Sequence, residues 1–204
     1  MRSRLLAVML CSVSSFAVAQ TFEGSISVGQ QLESNATLGS IADEALNGGG
    51  TYSFTNGFNI NFRATLNTWK FFGHEFGYAY NRTHLNFNAL NPSSTTDEGG
   101  MAVHQGFYDF LGYATPEGSR FRPFGAVGVH FSNYVPPGSS ASQGGGENKF
   151  GINYGGGLKV HISGPFGARV DVHQFTNPKP GFGLSGNSGW IRQTEISAGI
   201  DFML

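Results

Sequence analysis

An all-β fold, an eight-stranded antiparallel up-and-down transmembrane β-barrel, is what this 204-residue sequence predicts. Three observations carry the prediction. Segments in which apolar and polar residues alternate recur along the chain, which is the period of a strand with two unlike faces. Charged residues make up 12% of the chain, against about 25% in a soluble domain, too few to coat an ordinary water-facing surface. After residue 19 no stretch of about 18 residues is wholly apolar, so spanning helices are excluded and a closed sheet remains as the route through a bilayer.

The first residues predict the compartment. Arg2 and Arg4, an apolar run from Leu5 to Val13, and Ala17-Val18-Ala19 before Gln20 form the pattern of a cleaved secretory signal peptide over 1–19, leaving one barrel domain over 20–204. The apolar run is about half the length a membrane anchor needs. Cys11 lies inside the leader, so the mature chain is expected to have no disulfide. Losing Arg2 and Arg4 leaves 10 basic and 13 acidic residues, a charge of −3, which offers nothing to nucleic acid.

Eight strands are read in order: Phe22 to Leu32, Thr51 to Thr68, His74 to Phe87, Met101 to Ala114, Arg120 to Tyr134, Lys149 to Ser163, Gly167 to Thr176 and Trp190 to Leu204. The connections alternate. Glu33 to Gly50, Asn88 to Gly100, Val135 to Asn148 and Asn177 to Gly189 are long and rich in Gly, Ser, Asn or Pro; Trp69 to Gly73, Thr115 to Ser119 and Gly164 to Phe166 are short. Short periplasmic turns and long outer loops are the asymmetry of bacterial outer-membrane barrels.

Parity assigns the faces. In the second strand Phe58, Ile60, Phe62, Ala64 and Leu66 oppose Asn59, Asn61, Arg63, Thr65 and Asn67. The sixth sets Phe150, Ile152, Tyr154, Leu158, Val160 and Ile162 against Asn153, Lys159 and His161; the seventh sets Ala168, Val170 and Val172 against Arg169, Asp171 and His173; the last runs Ile196, Ala198, Ile200, Phe202, Leu204 on one face. The fourth strand does not sort, because Phe107 and Leu111 share the parity of Asp109, and the upper third strand drifts; a bulge or a polar rim is the expected cause. Aromatic girdles are expected from Trp69, Phe71, Phe72, Tyr113, Phe121, Phe166 and Phe202 at one end and from Tyr52, Tyr134, Phe150 and Trp190 at the other.

On these residues the whole mature chain resembles the small eight-stranded outer-membrane barrels of the OmpA type, the outer membrane beta-barrel domain proteins. Gly73-His74-Glu75-Phe76-Gly77-Tyr78-Ala79-Tyr80 and Arg122-Pro123-Phe124-Gly125-Ala126-Val127-Gly128 look like strands of that group, and Ser197-x-Gly199-x-x-Phe202-x-Leu204 looks like its C-terminal insertion signal, with Leu204 where an aromatic residue is usual. The resemblance implies a bacterial outer-membrane location and, as partners, outer-membrane lipid and lipopolysaccharide and the outer-membrane insertion machinery. A monomer is expected.

Inward parity collects Arg63, Glu75, Arg122, Lys159, Arg169, Asp171, Glu195 and Asp201, both signs in one lumen. An eight-stranded interior is about filled by side chains, so these charges are expected to pair as a plug and not to line a pore. His130-Phe131-Ser132-Asn133 resembles the His-x-Ser-Asn element of lipid A deacylase barrels, with Glu147 as the candidate acid of a Ser-His-acid set. The bland alternative is a histidine and a serine hydrogen-bonded in a polar interior. Six scattered histidines predict no metal site, His74-Glu75 lacks the second histidine of a zinc-protease motif, and no cofactor is expected. The acidic tips Asp43-Glu44 and Asp97-Glu98 read mainly as solvated charge. The expected role is structural or surface-exposed interaction, without catalysis; a small-solute channel, a lipid A-modifying enzyme and a soluble ligand-holding barrel are the rivals.

Overall fold

The computed structural model describes residues 21–34, 36–42, 48–90, 94–143 and 145–204; the expected leader at 1–19, the acidic pair Asp43-Glu44 and residues 91–93 lie outside them. The strands are β1 (Phe22–Ser34), β2 (Thr37–Ile41), β3 (Gly50–Phe54), β4 (Gly57–Thr68), β5 (Phe72–Ala89), β6 (Ser94–Tyr113), β7 (Phe121–Val135), β8 (Glu147–Ser163), β9 (Phe166–Pro178) and β10 (Trp190–Met203). Eight of them, β1 and β4 to β10, close an antiparallel barrel. The seam joins β1 to β10 from Glu23↔Met203 to Ser34↔Arg192, so the first and last strands satisfy each other's backbone groups, as a bilayer requires.

The distribution of side chains is that of a soluble protein turned inside out. Ile26, Phe62, Phe76, Val127, Val129, Ile152, Val170, Ile196 and Ile200 stand exposed on the outer wall, while Arg63, Glu75, Asp109, Arg169 and Glu195 are buried within. Two pairs of polar rings on the outer wall meet each other: His74 Nδ1 lies 2.8 Å from the Tyr108 hydroxyl and His104 Nδ1 lies 2.6 Å from that of Tyr78. Unpaired, such groups would be costly against hydrocarbon.

Two of the expected elements change. The segment Thr51 to Thr68 is two strands, because the chain leaves the wall at Thr55-Asn56: Asn56 Oδ1 accepts the Glu33 N–H (2.9 Å), and β3 pairs with β2 and the top of β5 instead of β1. Gly57 permits the return, since a Cβ there would stand 2.1 Å from the Arg82 carbonyl oxygen. The segment Asn88 to Gly100 is mostly ladder, not loop: β5 and β6 pair up to Ala89↔Ser94, an arm of roughly eight residues beyond the 9 to 11 that cross a bilayer.

The irregular parity of β6 has a packing cause. Met101, Val103, Gln105, Phe107, Asp109, Leu111 and Tyr113 all face inward with no slip of register, and the bulge lies higher, where Leu85 pairs with Gly99 and Asn86 with Asp97. Phe107 points inward because Gly77 faces it; a Cβ there would lie 2.0 Å from the Phe107 ring. The girdle loses three expected members for the same reason: Tyr113 and Tyr134 are buried in the lumen, and Tyr52 packs on the roof formed by β2 and β3. Trp69, Phe71, Phe72, Phe121, Phe166 and Phe202 remain outward at one end, with Phe150 and Trp190 at the other. Trp69 (φ 48°) and Lys70 (φ 64°) take the two left-handed positions of the β4–β5 turn, a geometry that matches hairpin twist and places the indole at the rim.

Val127, 59% exposed in the middle of β7, tests the wall. Val127→Arg is expected to lose about 2–4 kcal/mol of unfolding free energy in lipid vesicles, the cost of a cation at the bilayer midplane, with denaturant titration as the measurement.

Candidate functional site: the lumenal charge network and the roofed mouth

The lumen is layered. At its centre Arg169 forms a bidentate pair with Glu75, Nη1 to Oε2 at 2.6 Å and Nη2 to Oε1 at 2.9 Å, and its Nε reaches Asp171 Oδ1 at 3.2 Å. Arg63 spans the other carboxylates: Nη2 lies 3.0 Å from Glu195 Oε1 and 3.2 Å from Asp171 Oδ2, Nε lies 3.5 Å from Glu75 Oε1, and Nη1 donates to Ser27 Oγ at 2.7 Å. Neutral side chains complete the shell, Asn61 on Glu195, Thr65 on Glu75 and Ser197 on Asp171. Two guanidinium forks facing three carboxylates, all nearly or fully buried, form a network whose members depend on one another.

Toward the short turns a second cluster gathers on Glu23, which takes the Lys159 ammonium, Arg122 Nη1 at 3.3 Å and the Asn67 amide at 2.6 Å. The Arg122 guanidinium lies over the Tyr113 ring at 3.7 Å and that of Arg169 over Phe124 at 4.8 Å. Toward the long loops an aromatic layer of Phe107, Phe175, His130 and His173 follows, with His173 Nε2 3.0 Å from Asp109 Oδ2. Above it Gln105, Gln193, Asn81 and Ser132 link into an amide layer.

The eight charged residues expected inside are all buried there, and seven of them join the two clusters; Asp201 pairs with none. Glu23, Asp109 and His173 complete the arrangement. Glu23 could have been found from its parity with Ser25 and Ser27; Asp109 was hidden by its apolar neighbours on β6. Of the insertion-signal residues, Ser197 faces inward, Phe202 stacks edge-on against Phe166 on the outer wall, Gly199 sits against the β1 backbone, and Leu204 is exposed.

The candidate catalytic residues are not brought together. His130 and Ser132 are buried on the lumenal face of β7, away from lipid, and each is committed elsewhere: His130 Nε2 donates to Asn177 Oδ1 (3.1 Å), and Ser132 Oγ accepts from Gln105 Nε2 (3.2 Å). Glu147 orients neither. It stands beyond the Phe150 girdle, binds Lys149 at 2.6 Å and accepts the N–H groups of Gly181 and Phe182. The loose spacing of the acid in sequence reflects its actual task, which is to hold the loop after β9.

That loop and the β2–β3 hairpin roof the mouth. Ser40 and Ser185 exchange backbone hydrogen bonds at 2.8 and 2.9 Å, and Leu38, Phe54, Met101, Val103, Tyr134 and Ile191 form an apolar cluster beneath, covered by Phe182 and Leu184. Burial raises the Glu147 carboxyl, but the Lys149 bond and the Phe182 and Gly181 N–H groups outweigh it and hold the group below its ordinary value. On the arm, the Gly99 N–H first and then His84 hold Asp97 low.

Residues 3–203 match the family described as outer membrane protein beta-barrel domain. Solved structures of like fold include the outer membrane protein OprG of Pseudomonas aeruginosa, at 11% identity over 91% of this chain and 95% of that one, with a TM-score of 0.64. Neisserial surface protein A is another, at 12% identity over 91% and 99%, with a TM-score of 0.52. No curated protein matches the sequence.

Two outcomes follow from these geometries. Glu75→Ala leaves two buried guanidinium groups short of a partner and is expected to cost about 3–5 kcal/mol in vesicle unfolding, while Lys70→Ala on the exposed turn costs under ~0.5 kcal/mol. Because the folded Glu147 carboxyl is depressed, its hold on the loop is present above the free carboxyl value and is lost as pH falls through the folded value. Amide exchange at Gly181 and Phe182, corrected for intrinsic rate, should rise across that acid range and should be raised at neutral pH in Glu147→Gln.

Proposed function

The chain belongs to the outer membrane protein beta-barrel domain family, and we propose that within it the protein is a plugged, monomeric barrel of the bacterial outer membrane whose exposed parts carry a structural or surface-interaction role. The observation behind this reading is the lumenal network. Arg63 and Arg169 bridge Glu75, Asp171 and Glu195 across opposite walls, so an ion entering the lumen would have to break several buried pairs at once. A fold of this kind hosts many roles, so the role is argued from the site and the exposed parts. The long β5–β6 arm and the clipped roof place built, partly apolar surface outside the membrane, where loops of a rigid scaffold meet partners.

Three further steps belong to this reading. Export uses the 1–19 leader with cleavage after Ala19. Ser197, Gly199, Phe202 and Leu204 address β10 to the insertion machinery before it becomes wall. Lipopolysaccharide surrounds the outer half of the barrel, against the apolar band and the Phe150 and Trp190 rim.

Planar-bilayer recording on the refolded protein is the test. The wild type is expected to show no steady large conductance, and Glu75→Ala, which opens the centre of the network, is expected to show more frequent openings. A steady large conductance from the wild type would make the protein a small-solute channel instead.

A further inference from the structure

The short-turn end of the lumen holds a cavity of about 230 Å³, walled among others by Glu23, Ser119, Arg122, Lys159 and Asp201. Pockets for drug-sized ligands run from about 300 Å³ upward, so this space suits a solute of a few heavy atoms. Its wall carries two buried groups of opposite charge with unused hydrogen-bonding capacity. Asp201 is 2% exposed, its Oδ1 has no hydrogen-bond partner, and no cation lies within ion-pair distance of it among the described residues. Arg122 is 6% exposed and spends only Nη1 on Glu23; Nε and Nη2 have no partner, and the Tyr113 ring covers the guanidinium face.

Those unused atoms have a particular shape. The Nε and Nη2 edge is the side of a guanidinium that receives a carboxylate through two parallel bonds. A buried carboxylate without a partner calls for a cationic donor. The other lumenal charges cannot supply these partners: Arg63 and Arg169 are held by Glu75, Asp171 and Glu195, and Lys159 by Glu23.

We propose that this cavity is a binding site for a small zwitterion of the amino-acid type, its ammonium on Asp201 and its carboxylate on the Nε and Nη2 edge of Arg122. The site stands on the wall of the lumen below the central network, so it does not depend on whether the barrel conducts. Both charges of the ligand are used, and neither half alone satisfies the pair. A five-heavy-atom solute can gain only modest affinity, so binding in the millimolar range is expected.

The experiment is ligand-observed NMR on the full mature barrel refolded in detergent micelles, with glycine, methylammonium and acetate as probes. Saturable glycine binding is expected, with methylammonium and acetate each weaker by about tenfold or more, a loss one full charge pair accounts for. Asp201→Asn should weaken glycine by about tenfold, and Ser119→Phe, which fills the cavity from the turn without touching the charges, should abolish it; Lys70→Ala should leave it unchanged. Heat-dependent gel mobility reports folding of each variant, and if Asp201→Asn fails to fold, Ser119→Phe decides. The proposal is overturned by no glycine binding up to about 50 mM, by acetate binding as tightly as glycine, or by glycine binding that survives Ser119→Phe.

Discussion

The seam between β1 and β10 is the constraint from which the rest follows. In hydrocarbon no water meets an open strand edge, so the backbone groups of Phe22–Ser34 and Trp190–Met203 must find each other or go unsatisfied. Closing eight strands makes a narrow tube, and a narrow tube has an interior that side chains about fill. The outer wall takes the apolar parity because lipid faces it; the inner wall receives the rest. Burying charge is then unavoidable, and the only way to bury it cheaply is in pairs.

That explains why the interior is a network and not a scatter of salt bridges. Arg63 and Arg169 share Asp171 and Glu75 between them: Arg63 is held by carboxylates of three other strands, and Arg169 by Glu75 across the lumen and by Asp171 of its own strand. The arrangement ties β4, β5, β9 and β10 together across the lumen, at right angles to the wall's own hydrogen bonds. Glu23, Lys159 and Arg122 do the same for β1, β7 and β8. Desolvation offsets much of the attraction in such a network, so removing one member, which strands its partner's charge, costs more than the intact pair contributes.

The two ends differ because water returns there. At the long-loop end the β2–β3 hairpin and the loop after β9 are clipped at Ser40 and Ser185 over an apolar cluster, and Glu147 holds the loop through its backbone. At the other end the wall stops on short turns, the lumen opens into a small cavity, and Asp201 and the Nε and Nη2 edge of Arg122 line it with unused hydrogen-bonding capacity. Ion pairs cross the centre, and the ends carry the roof and the small cavity.

Alternation in single segments is enough to show the wall strands and, β6 apart, most of their faces, because a period of two depends only on which side of one strand meets lipid. Parity alone brought Arg63, Glu75, Lys159, Arg169, Asp171 and Glu195 inside. It could not say which of them meet, because contacts across the lumen depend on strand tilt and register, and these belong to the whole sheet. Hence Asp201 shares the inward parity of the network but stands outside it, Glu147 holds a backbone loop and not His130, and Tyr113 and Tyr134 lie in the lumen and not in the girdle. The break at Thr55-Asn56 and the arm beyond Gly99 were likewise invisible locally, since both arise where a strand outgrows its neighbour. The sequence by itself determined the barrel and the sign of each wall; only the tertiary structure decided the partners, because a charge's partner is set by distance across a closed tube and not by distance along the chain.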